Sequence, residues 1–72
     1  MINDKLISIQ NVIIKINVSK NRIYELIEMG ILPSQYKIGQ RSLWSENEIN
    51  IAIQKIKENQ IQNYKFHEIK NV

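Results

Sequence analysis

Residues 8–30, SIQNVIIKINVSKNRIYELIEMG, decide the fold, because they read as two short helices joined by a tight turn. Ser8 is the first cap, a hydroxyl that accepts from an orphaned amide of the first turn. Ile9, Val12, Ile13 and Ile16 follow at the spacing that puts them on one helical face. Asn17 and Val18 interrupt the pattern. Ser19 is a second cap, Ile23, Leu26 and Ile27 resume the helical spacing, and Gly30 is a C-terminal stop, so the second helix is expected from about Lys20 to Met29. Lys20, Asn21 and Arg22 fall in its first turn, off the apolar stripe, where the helix dipole disfavours positive charge. A phosphate or base edge nearby removes that conflict. Arg and Asn bond guanine and adenine edges bidentately, and the second helix of a helix-turn-helix reads bases with its N-terminal residues.

Further along, Tyr36-Lys37-Ile38 and Arg41-Ser42-Leu43-Trp44 flank Gly39-Gln40, a Gly-X pair suited to a two-residue type II′ hairpin. Ser45-Glu46-Asn47-Glu48 has the capping-box pattern and opens a helix with Ile49, Ala52, Ile53 and Ile56 on one face. Helix, turn, helix, hairpin, helix is the order of a minimal winged helix-turn-helix, mainly α with a small β-hairpin as the wing. Lys37, Gln40 and Arg41 lie at the hairpin tip and are the expected contacts there, against the plainer reading of Lys37 and Arg41 as solvated surface charges. Tyr24, beside the stripe, either packs its ring under the wing and offers its hydroxyl to a phosphate or serves packing alone. Trp44 is expected in the core, closing the wing over the helices. Glu25 and Glu28 read as the wet face of the second helix and as the border of the DNA surface, since phosphate repels carboxylates.

Composition agrees with one small domain. The chain has 72 residues and a net charge of +3; residues 1–44 hold six Lys and Arg against three Asp and Glu, whereas residues 45–72 hold four of each. The excess therefore lies in the half that carries the two helices and the hairpin, as a phosphate-facing surface requires. Ordering each residue costs about 1.5 kcal/mol, which leaves little margin in a core this small. With no Cys, one His and one Asp, the chain offers no thiolate metal site and no nucleophile-base pair, so neither enzyme chemistry, metal nor cofactor is expected. His67 stands alone. No apolar run is long enough for a signal peptide or a membrane span, which predicts a cytoplasmic protein.

Residues 1–59 are expected to form the domain and residues 60–72 a tail or helix extension. Beyond Asn59 the sequence NQIQNYKFHEIKNV loses its clear stripe: Ile61, Tyr64 and Ile69 do not line up with Ile49, Ile53 and Ile56, so a separate contact is needed to order them. Ile51 points away from the core face and is another apolar residue available for self-association.

Val18 to Ile27, Gly30, Pro33, Lys37-Ile38-Gly39, Arg41, Trp44 and Glu46 to Glu48, taken in order, resemble the AlpA and excisionase-type DNA-binding domains, relatives of the MerR winged helix, over about residues 6 to 56. The stretch from Gly39 to Trp44 is one residue shorter than the usual AlpA wing, and Gln40 stands where Gly or a basic residue is common. The resemblance implies a sequence-specific DNA-binding protein of a prophage or mobile element, acting as an excisionase (a recombination directionality factor), as a transcriptional regulator of the integrase, or as both. On that pattern Arg22 leads base reading, Lys20 and Asn21 support it, and Ser19, Lys37 and Arg41 contact phosphates. The implied partners are double-stranded DNA, further copies of the chain on adjacent sites and an integrase, with no membrane and no small-molecule substrate; the place is the bacterial nucleoid. From a different class, the alternative is a protein-interaction module that binds an integrase or repressor through the C-terminal tail.

Overall fold

The computed structural model describes the backbone of residues 3–71 and the side chains of residues 3–59. Its elements run β1 (Leu6–Ile7), α1 (Ile9–Ile16), α2 (Lys20–Glu28), β2 (Tyr36–Ile38), β3 (Arg41–Ser45) and α3 (Glu46–Asn71). Local chemistry explains each boundary. Ser8 Oγ accepts from the Asn11 amide at 3.4 Å and starts α1; Asn17, at φ +63°, ends it, and its N–H donates to the Ile13 carbonyl. Asn is one of the few side chains that enter the left-handed region readily. Ser19 caps α2 in the same way as Ser8, accepting from the Arg22 amide at 3.2 Å.

α2 stops in a Schellman motif. Gly30 sits at φ +78°, its N–H donates to the Ile27 carbonyl, and the Ile31 and Leu32 amides both reach the Leu26 carbonyl, at 2.9 and 3.2 Å. The chain reverses there and drops Leu32 into the core. Gly39, at φ +62°, opens the two-residue loop between β2 and β3. Gln40 is not among the residues at positive φ, which is the type II′ pattern the Gly-X pair predicts.

The sheet has three antiparallel strands in the order β1-β3-β2, so β3 is central. The three helices and the hairpin stand where the sequence places them, and β1 adds a third strand: among the described residues the molecule is mixed α/β, with three helices and a three-stranded sheet, compatible with a helix-turn-helix that carries a wing. β1 is only two residues long, too short to show alternation, and its partner lies far along the chain. It pairs Leu6 with Ser45 and Ile7 with Trp44.

The core gathers Ile7, Val12, Ile23, Leu32, Trp44, Ile49 and Ala52, with Tyr24 and the remaining helix-face isoleucines packed around them. It therefore joins all three helices to the sheet. Trp44 is fully buried, as expected, and its indole N–H has no partner among the described residues.

The start of α3 is held from two directions. Ser45 Oγ accepts from the Glu48 amide at 3.1 Å and donates to the Asp4 carboxylate at 2.5 Å. Asp4 also accepts from the Asn47 amide at 3.1 Å, and the Lys5 carbonyl accepts from the Glu46 amide at 2.8 Å. Three of the first amides of α3 are thus satisfied, two of them by the segment before β1. The reciprocal half of the expected capping box is replaced, because the Glu48 carboxylate instead accepts from the Tyr36 hydroxyl at 3.0 Å. Those bonds to Ser45 and Asn47 hold the Asp4 carboxyl below the ordinary carboxylate value, and the bond to Glu48 pushes the Tyr36 phenol up. α3 runs as one helix to Asn71; the side chains of Ile61, Tyr64, His67 and Ile69 lie outside the described residues. No helix among the described residues is long and apolar enough to cross a membrane.

Candidate nucleic-acid interface

The first turn of α2 is exposed at Ser19, Lys20, Asn21 and Arg22. Ile23 is fully buried beneath it, which fixes the rotation of the helix. At about 100° per residue, Asn21 then points away from the core, Lys20 shares one flank with Tyr24, and Arg22 shares the other with Leu26 and Met29. The second flank is seen directly, since Arg22, Leu26 and Met29 line one groove together. The three first-turn side chains expected to act together are therefore spread over more than half of the helix circumference.

Tyr24 lies on the flank that meets the sheet. Its ring is half-buried, with its centroid 6.2 Å from that of Trp44 and the planes tilted by 58°, an arrangement within the favourable range for aromatic pairs. This contact ties α2 to β3. The Tyr24 hydroxyl makes no hydrogen bond among the described residues and is not among their buried unpartnered atoms, so it is open to solvent.

Register settles the hairpin. Lys37 is paired with Ser42, and Ile38 with Arg41. Directly paired residues share a face and neighbours alternate, so Lys37 and Ser42 lie on the face that buries Trp44, whereas Ile38 and Arg41 lie on the opposite one with Tyr36 and Leu43. The two cations at the tip are split between the two faces, and Gln40 is exposed at the turn between them.

Ion pairs redistribute the basic charge counted from sequence. Lys15 Nζ lies 3.3 Å from Glu46 Oε2 and 3.1 Å from Asn50 Oδ1, which draws it to the start of α3. Arg22 Nη1 lies 2.9 Å from Glu25 Oε1, with both side chains more than half exposed. Glu25 does not border the surface around Arg22 but sits within it. Three residues apart on a helix are close enough to pair, so that signal was present in the sequence. Lys20, Lys37 and Arg41 have no carboxylate within 4 Å among the described residues. The structural role of Asp4 had no local signal, because both its side-chain partner and its capped amide lie more than forty residues away.

Lys20 lies on the α2 flank that carries Tyr24 and Lys37 on the hairpin face that carries Trp44, while Arg22 lies on the opposite flank and Arg41 on the opposite face. Exposed cations on both elements suit a polyanion that spans from helix to hairpin. No known protein family, characterised protein or solved structure matches the chain.

Proposed function

We propose that the chain is a winged helix-turn-helix protein that binds double-stranded DNA sequence-specifically, with α2 in the major groove and the β2–β3 hairpin as its wing. The observation that carries this reading is the set of cations without carboxylate partners, Lys20 at the start of α2 and Lys37 and Arg41 at the hairpin tip, on elements joined by Tyr24 and Trp44. Lys20 and Asn21 reach base edges directly. Arg22 does so by exchanging Glu25 for guanine; a surface ion pair of this kind is worth only about 0.2–1 kcal/mol, less than a bidentate contact to the correct base. The minor groove is about 6 Å wide, and a hairpin entering it edge-on carries Lys37 toward one bounding strand and Arg41 toward the other. Ser19 and the Tyr24 hydroxyl complete the phosphate contacts.

Together with the resemblance to AlpA and excisionase-type domains, this makes the chain an accessory DNA-binding protein of a mobile element, an excisionase or a regulator of integrase transcription. The test is fluorescence anisotropy with duplexes tiled across the gene's own promoter and any neighbouring integrase attachment site, at two salt concentrations and against a scrambled duplex. Tight, salt-sensitive binding to one tile is expected, and the position of that tile separates excision from transcription. Equal binding to every tile and to the scramble refutes sequence-specific recognition.

A further inference from the structure

α2 and α3 leave a mainly apolar groove between them, of about 450 Å³, lined by Ile16, Val18, Leu26, Met29, Ile31 and Ile56, with Arg22 and Asn59 as its polar members. The fold leaves two of these residues exposed, Met29 at 65 % and Ile31 at 39 %. Ile56 and Asn59, on the last described turns of α3, are part of its wall. α3 itself does not end there. It continues as a single helix to Asn71, so the stretch 60–71 adds about 18 Å along the same axis.

That continuation carries Ile61, Tyr64, Phe66 and Ile69, four large apolar residues within nine positions. Helices in proteins draw most of their stability from the packing of apolar side chains and less from intrinsic propensity. An uninterrupted helix does not bend back on itself, so the segment leaves the groove of its own chain behind. One molecule thus holds an open apolar groove and an apolar helical segment that cannot meet within it.

We infer that the groove receives residues 60–72 of a second copy of the chain. The contact is heterologous, groove to tail, so each molecule keeps one free groove and one free tail and the association propagates instead of closing into a symmetric pair. It does not depend on DNA. If the proposed DNA binding also holds, it supplies the neighbour contact between copies on adjacent sites.

The test uses the full chain without DNA. Sedimentation velocity at physiological salt, over a wide range of protein concentration, is applied to the wild type, to Met29→Glu in the groove and to the double variant Ile61→Glu with Ile69→Glu in the tail. Near-ultraviolet circular dichroism of the buried Trp44 establishes that each variant is folded. The wild type is expected to grow with concentration beyond a dimer, and each variant alone to associate at least about tenfold more weakly, the loss of about one buried side chain. An equimolar mixture of the two variants restores one intact groove and one intact tail in different molecules, so it is expected to form a dimer and nothing larger. Three results overturn the inference: a wild type monomeric throughout, a Met29→Glu variant that associates as well as the wild type, as tail-to-tail pairing would give, or a mixture that remains monomeric.

Discussion

Arg22 and Glu25 stand one turn apart on α2 with their charged atoms 2.9 Å apart, and both are exposed to water. The pair adds little to stability, but it places a carboxylate where a phosphate-facing surface is proposed. Glu25→Gln is therefore expected to tighten DNA binding, by about three- to tenfold at low salt, by freeing the guanidinium and removing a repulsive charge. Arg22→Ala is expected to cost about 1–3 kcal/mol of binding to the preferred duplex and to narrow its margin over a scrambled one. Anisotropy titrations of both duplexes with both variants check this; unchanged discrimination in Arg22→Ala removes that residue as a base reader. Of the residues singled out from sequence, Ser19 and Trp44 occupy the expected places because their roles are local or volumetric: a cap needs only its own first turn, and a Trp among isoleucines has nowhere else to go. The sequence leaves Tyr24 between two roles, because which neighbour its ring meets is set by β3, twenty residues downstream.

At the scale of elements, two boundaries and one register can be tested. Gly30 ends α2 at φ +78°, and an added Cβ there meets nothing within 4 Å, so the cost of Gly30→Ala is conformational alone. It is expected to destabilise the protein by about 1–2 kcal/mol, read as a lower urea midpoint with unchanged slope while Trp44 fluorescence is followed. Asp4 closes the start of α3 and is held below the ordinary carboxylate value by Ser45 and Asn47. A carboxyl with a lowered value contributes stability above its unfolded value and loses it as the pH falls through the folded one. Asp4→Ala is thus expected to unfold at lower urea than the wild type near neutrality, with the gap narrowing in acid; a gap that widens on acidification contradicts this role. The hairpin register splits Lys37 and Arg41 between its two faces. Neutral methylphosphonate linkages placed in one DNA strand are therefore expected to cancel the effect of Lys37→Ala, and in the other strand that of Arg41→Ala. Sensitivity of both to the same strand would show that the wing lies flat on the backbone.

The molecule as a whole is a small core that joins three helices to a sheet through Trp44, Ile23, Ile49 and Val12, all fully buried. Its net charge of +3 does not reach the surface evenly, because Lys15 is drawn to Glu46 and Arg22 to Glu25. If Lys20, Lys37 and Arg41 each neutralise one phosphate and Arg22 contributes once released, log K for DNA is expected to fall with log salt at a slope of about −2.7 to −3.6. Anisotropy across a salt series measures it. A slope near zero would mean that these cations do not meet phosphate, and one much steeper would require contacts from the tail lysines or from a second copy.

What the sequence by itself determined is whatever depends on contacts a few residues apart. The caps at Ser8, Ser19 and Ser45, the stops at Asn17 and Gly30, the two-residue turn at Gly39-Gln40 and the apolar stripes of the three helices all obey short-range rules of hydrogen bonding and periodicity. Tertiary structure alone decided the rest. Strand β1 exists because Leu6 and Ile7 find Ser45 and Trp44, and Asp4 caps a helix that begins more than forty residues later. Lys15 is drawn to Glu46, and a mainly apolar groove opens between α2 and α3. These features depend on which surfaces the fold brings together, and a two-residue strand or a single Asp carries no periodic signal that could announce the pairing.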